Sequence, residues 1–165
     1  MTQPAPPRGA TARLAHALML GGSALLLATA LLTTASVLRR WLGGQPIPGD
    51  FELVQMGSGL AVFGFLAWGT LMRANILVDS FTTWLPARLR DGLDAFWNLA
   101  WGATALLLGW RMAAGALDAL RSDTRSMVLS LPLWWAIALG ALAFAATALA
   151  ALLWARRLLA GENRA

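Results

Sequence analysis

Four long apolar runs dominate this chain and leave it few folds. Leu14–Leu38, Phe51–Met72, Ala95–Leu117 and Leu131–Ala155 are each long enough to cross a bilayer, which takes roughly 20 residues of helix. Inside hydrocarbon every backbone N–H and C=O must be bonded within the protein, so runs of this length cross as helices. Together they exceed half of the 165 residues. With 58% hydrophobic and 13% charged residues, too little polar surface remains to cover a soluble core. The expected fold class is all-α integral membrane, with four transmembrane helices over residues 14–155 and tails at 1–13 and 156–165.

The first run could be mistaken for a secretory signal, because Arg8 and Arg13 precede it. At 25 residues it is too long for a signal core and reads as a helix that stays. There is no cysteine, which excludes disulfides, thiolate metal sites and cysteine nucleophiles. A single histidine, His16, excludes a haem held by two histidines. No constellation for catalysis is present, so the chain reads as a non-enzyme that needs no cofactor. The net charge is +5, yet the arginines flank the apolar runs rather than forming a patch. They suit lipid headgroups and topology, not nucleic acid.

All thirteen cations are arginine. With the N-terminus inside, the inner segments hold eight of them (Arg8, Arg13, Arg73, Arg88, Arg90, Arg156, Arg157 and Arg164) and the outer loops four (Arg39, Arg40, Arg121 and Arg125). The bias places both termini in the cytoplasm. Tryptophans gather at the ends of the runs: Trp41, Trp110, Trp134 and Trp135 toward the outer side, and Trp68, Trp84, Trp97 and Trp154 toward the inner side, with Trp101 a turn deeper. Indole rings favour the headgroup boundary.

Between the second and third runs the chain reads "LMRANILVDSFTTWLPARLR" (71–90). Val78, Phe81, Leu85, Leu89 and Leu93 recur at helical spacing, with Arg88, Arg90 and Asp91 off the stripe. Asp79 suits an N-cap, and Pro86 suits the start of a following helix. The expectation is a broken amphipathic segment lying in the inner interface. In "GGQPIPGD" (43–50), glycine and proline punctuate a turn. Ser130 is expected to cap the fourth helix, with Pro132 in its first turn.

Glu52 opens the second helix, where the helix dipole favours an acid, or else meets a partner or Arg111. Arg111 lies about six residues inside the third run, either snorkelling or pairing with Glu52, Asp50 or a partner's acid. His16 reads as an interfacial polar residue. Ala105, Gly109 and Ala113 form a small-residue stripe whose neighbour, in this chain or another, is left open.

The stretch "RANILVDSFTTWLPARLRDGLD" also resembles the region after the second helix in the small membrane subunit of TRAP (tripartite ATP-independent periplasmic) transporters. Ile76, Val78, Asp79, Leu85, Pro86, Arg88, Arg90 and Asp94 stand at that family's places, with Asn75 where histidine is usual. "RRWLGGQPIPGDFEL" resembles its first loop through Arg40, Pro46, Gly49, Glu52 and Leu53, and "GW" at 109–110 with "LPLWW" at 131–135 resembles the third and fourth helices. The resemblance implies an accessory subunit. Its partners would be a large membrane subunit, which moves a solute (commonly an organic acid) on a cation gradient, and a periplasmic binding protein. The small subunit would brace the large one. Arg40, Glu52, Arg73, Asp79, Arg88 and Arg111 are the candidate partner or structural contacts. Two other classes stay open: a stand-alone four-helix exporter, which would need an embedded carboxylate in its first helix, and a membrane anchor or assembly factor of an unrelated complex.

Overall fold

The structure is a computed structural model and describes residues 9–72 and 86–160. Those residues form four helices: α1 (Ala10–Gly43), α2 (Asp50–Leu71), α3 (Ala87–Arg121) and α4 (Trp134–Ala160). They make two antiparallel hairpins, α1–α2 and α3–α4. α4 joins the hairpins, packing along α3, against α2 and more lightly on α1. α2 and α3 make no backbone approach to each other. The connections 44–49 and 122–133 share one end of the bundle, the loop end; the start of α1 and the end of α4 lie at the other, the terminal end.

α1, α2 and α4 are long and apolar enough to cross a membrane. α3 has the length, at 35 residues, or about 52 Å of helix. Its apolar run is diluted by Asn98, Arg111 and three tryptophans. It nonetheless lies beside α4 at several levels. A Cβ added at Gly102 would stand 3.3 Å from the Ala151 methyl, and one at Gly109 would stand 3.3 Å from Phe144 Cβ. Ala105, between them, is fully buried. Ala105 and Gly109 of the α3 stripe are therefore buried within this chain, while Ala113 is exposed.

A second seam of small residues joins α1 to α2. Ala15, Gly22, Thr29 and Ser36 are the buried residues of α1, spaced seven apart. Opposite them Gly57, Ala61 and Gly64 are buried on α2. A Cβ on Gly22 would come within 2.9 Å of the Ala61 carbonyl oxygen, and one on Gly64 would press on the Leu18 carbonyl. Lipid tails are as apolar as leucine, so association in a bilayer depends on such close backbone packing.

At the terminal end Ala15, Ala67, Leu71, Ala146 and Ala150 form a buried cluster of α1, α2 and α4, with Trp68 against it. Here three tryptophans depart from the headgroup role expected of them. Trp154 is 1% exposed, and its indole N–H donates to the Leu71 carbonyl at 2.8 Å. That carbonyl is among the last four of α2, which have no partner within the helix. Trp101 donates to Thr70 Oγ1 at 3.0 Å. Trp68 tilts against His16, with ring centroids 5.1 Å apart. Helix ends carry unpaired backbone groups, and an indole N–H satisfies one while its ring fills the core. Trp41 and Trp110 stay well exposed.

One boundary differs from expectation and another meets it. α4 starts at Trp134, because Pro132 bridges to Arg125 and Ser130 takes a left-handed φ of 51°. Ser130 thus turns the chain rather than capping a helix. Pro86 does precede a helix, but from Ala87 that helix is α3 itself, with no break before the third run. Once nucleated, a helix extends at little cost. Val78, Phe81 and the rest of the interfacial segment up to Leu85 lie outside the described residues.

Candidate functional site

The loop end gathers more polar chemistry than any other part of the described bundle. α1 ends in a left-handed Gly44, whose N–H returns to the Arg40 carbonyl at 3.0 Å. The chain then turns through two prolines and starts α2 at Asp50. Ser36, buried in α1, donates its hydroxyl to Asp50 Oδ2 and accepts the Ile47 N–H at 3.2 Å. The other Asp50 oxygen accepts the Phe51 N–H at 2.7 Å. One serine–aspartate pair therefore fixes where the first hairpin turns. The Arg40 guanidinium adds a favourable charge to Asp50.

Glu52, two residues on, binds the other hairpin. Its Oε1 accepts the Val128 N–H at 2.7 Å and its Oε2 the Leu129 N–H at 3.0 Å. Two successive backbone amides thus converge on one carboxylate, and such charge-assisted bonds are the stronger kind. The loop that offers them is preformed. Ser126 N–H donates to Leu131 O at 2.9 Å, Leu133 N–H to Thr124 O at 3.1 Å, and Arg125 Nε to Asp123 at 3.0 Å. The Leu129 side chain then sits on Gly49, where any Cβ would overlap it. Gly49 also has a φ of 75°, so glycine is required there twice over.

Glu52 therefore grips the 122–133 loop rather than Arg111. Arg111 is exposed, with its guanidinium 5.8 Å from the Trp110 ring centre. Together these residues suit a headgroup boundary, where a guanidinium snorkels and an indole stays wet. Of the other candidates, Arg73 and Asp79 lie outside the described residues, and Arg88 is described only by its place in the first turn of α3. His16 is exposed at the terminal end, against Trp68.

Between α2, α3, the loop and α4 lies a cavity of about 510 Å³. Glu52, Gln55, Arg125 and Ser126 surround its loop end, and Leu60, Phe63, Met112 and Ile137 line its depth. No sequence signal pointed to the cavity or the Glu52 grip, whose partners lie 76 and 77 positions away. The α1 seam had a signal, the seven-residue spacing of its small side chains.

A family profile, described as Tripartite ATP-independent periplasmic transporters, DctQ component, matches residues 29–161. The chain belongs to that family. No curated protein and no solved structure matches it. The match takes in the Glu52 grip, the second hairpin, the cavity and the first hairpin from Thr29 onward. It makes this chain the small membrane component of a TRAP transporter, a protein of the bacterial inner membrane. Membership implies a large membrane subunit and a periplasmic binding protein as partners. Within the TRAP small component, Glu52 is bonded to the 122–133 loop, and Arg40 adds its charge near Asp50.

Proposed function

We propose that this chain is the non-enzymatic accessory subunit of a cation-gradient-driven uptake transporter, one that braces the large subunit and helps it engage the binding protein. The solute class favoured is organic acids, through the family resemblance. The observation that carries this reading is the continuity of the three apolar helices α1, α2 and α4. Ion-coupled carriers build their sites from broken helices near the midplane. Here the carboxylates of α2, Asp50 and Glu52, lie in its first turn and are bonded to Ser36 and to the 122–133 loop. Embedded carboxylates are also what a stand-alone exporter would need, and α1 has none.

In this reading α3 crosses the membrane beside α4, and both termini are cytoplasmic through the arginine bias. The loop end then faces the periplasm, and Trp41, Trp110 and Arg111 meet lipid headgroups there. The test is uptake into vesicles under a sodium gradient with binding protein supplied. The chain alone should give background uptake, and adding the large subunit should restore accumulation. The two should also co-purify. Accumulation without the large subunit would refute the accessory role.

A further inference from the structure

α3 carries its charged and hydroxyl side chains off its packed face. Among its described residues, those buried are Ala95, Ala105, Gly109, Ala116 and Ala119, none of them polar. Thr104, Arg111 and Asp118 recur every seven residues and are all exposed. Arg111 also stands deep. Gly109, two residues before it, packs level with the middle of α4: an added Cβ would lie 3.4 Å from the Ala141 carbonyl oxygen and 3.3 Å from Phe144 Cβ. Met112, the next residue, ends against Gly140. Gly140 lies six residues inside α4, about 9 Å of rise. The Phe63 ring meets the same level, 3.0 Å from a Cβ at Gly140 and with its centre 5.5 Å from that of Phe144. Phe63 is thirteen residues into α2, about 20 Å of rise. Both registers set Arg111 well inside a leaflet whose hydrocarbon is roughly 15 Å deep.

We infer that Arg111 is the point at which α3 docks on the large membrane subunit, pairing there with a carboxylate on one of that subunit's transmembrane helices. The inference rests on the transmembrane reading of α3 and on the accessory role proposed above. A charge at this depth is costly and pairs with another group. Within this chain no carboxylate of the described residues meets it: Asp50 and Glu52 are bonded elsewhere, and Asp118 is two turns along α3, about 10 Å away. Helical side chains lean toward their helix's N-terminus, and that of α3 is at the terminal end. Arg111 therefore leans away from the loop-end headgroups. In the free subunit, headgroups reach it only where the bilayer thins toward it; a carboxylate at its own depth removes that distortion. Symmetry decides against a second copy of this chain. Two copies inserted the same way are related by an axis along the membrane normal, which brings equal heights together. Arg111 would then face Arg111. Beside Arg111 the face is low: Ala114 is exposed, and a Cβ added at Gly115 would meet nothing within 4 Å. Small residues there let a partner helix come close, and the guanidinium fork suits a carboxylate.

The test co-expresses the chain with the large subunit and measures the apparent Kd between the two in detergent. Arg111→Leu should raise it about tenfold or more, because the partner's carboxylate is left buried and unpaired. Arg111→Glu should raise it further, and Arg111→Lys, which keeps the charge, should restore most of the affinity. Equal affinity of wild type and Arg111→Leu would overturn the inference. A second measurement keeps Arg111 in place. A photo-crosslinker replacing Thr104 should form an adduct with the large subunit. One replacing Leu106, two residues on and so on the opposite side of the helix, should form lipid adducts. Lipid adducts at Thr104, or adducts there to a second copy of this chain, would also overturn the inference. A wild-type chain that fails to co-purify with the large subunit would sink the accessory role and this inference with it. A wild-type chain that co-purifies but shows neither the Arg111 dependence nor the Thr104 adduct would sink the inference alone.

Discussion

At the scale of single residues, Glu52 holds the two hairpins together with two oxygens. Without it the Val128 and Leu129 amides would lose the protein acceptor that ties them to α2. Glu52→Ala should therefore free both amides. Hydrogen–deuterium exchange at Val128 and Leu129 should rise about tenfold or more, with little change along α4. Glu52→Gln keeps one good acceptor and should fall between. Unchanged exchange in Glu52→Ala would show that the loop is held by its own turn. Arg111 stands apart from this grip, so substitutions of Arg111 and Glu52 should act additively on complex stability in detergent, within about 0.5 kcal/mol. A larger coupling would place the two side chains in contact. Trp154 is a different case. Its position near the end of an apolar run looks the same from sequence whether the ring anchors to headgroups or caps a neighbour. Only the meeting of α4 with the last turn of α2 decides, and that meeting is tertiary.

At the scale of elements, the apolar runs disclosed all four helices, and the glycine–proline turn disclosed the first loop. Helix ends were less legible. Pro132 and Ser130 looked like a helix start, but the bridge to Arg125 recruits that backbone into the loop instead. The stripe on α3 was legible as a packing face, though not which helix it met. The α1–α2 seam was written at seven-residue spacing in Ala15, Gly22, Thr29 and Ser36, and is easily overlooked because glycine and serine interrupt an apolar run without breaking it. Its energetics can be tested at Gly64, which packs on the Leu18 carbonyl. Gly64→Val should separate the helices and cost about 1–3 kcal/mol, the usual range for overpacking. Denaturation in mixed micelles would measure it. Gly69→Val, on the same helix with open space around its Cβ, is the control and should be mild.

At the scale of the molecule, topology organises the partners. On the proposed orientation, with both termini in the cytoplasm, a reporter fused after Ala160 and one inserted between Gly44 and Gly49 should give opposite signals. A periplasmic signal at the C-terminal fusion would reverse the orientation. It would also turn the Glu52 grip toward the cytoplasm, away from any binding protein. Backbone packing in the bundle is unequal, since α4 alone packs against all three other helices, while α2 and α3 meet through the Trp101–Thr70 bond. α4 is also the last of the four to leave the ribosome. Until it inserts, α3 has no helix packed along its backbone and meets the first hairpin through the Trp101–Thr70 bond. A chain truncated before Trp134 should therefore fail to form the four-helix bundle, because the helix that joins the two hairpins is the one it lacks.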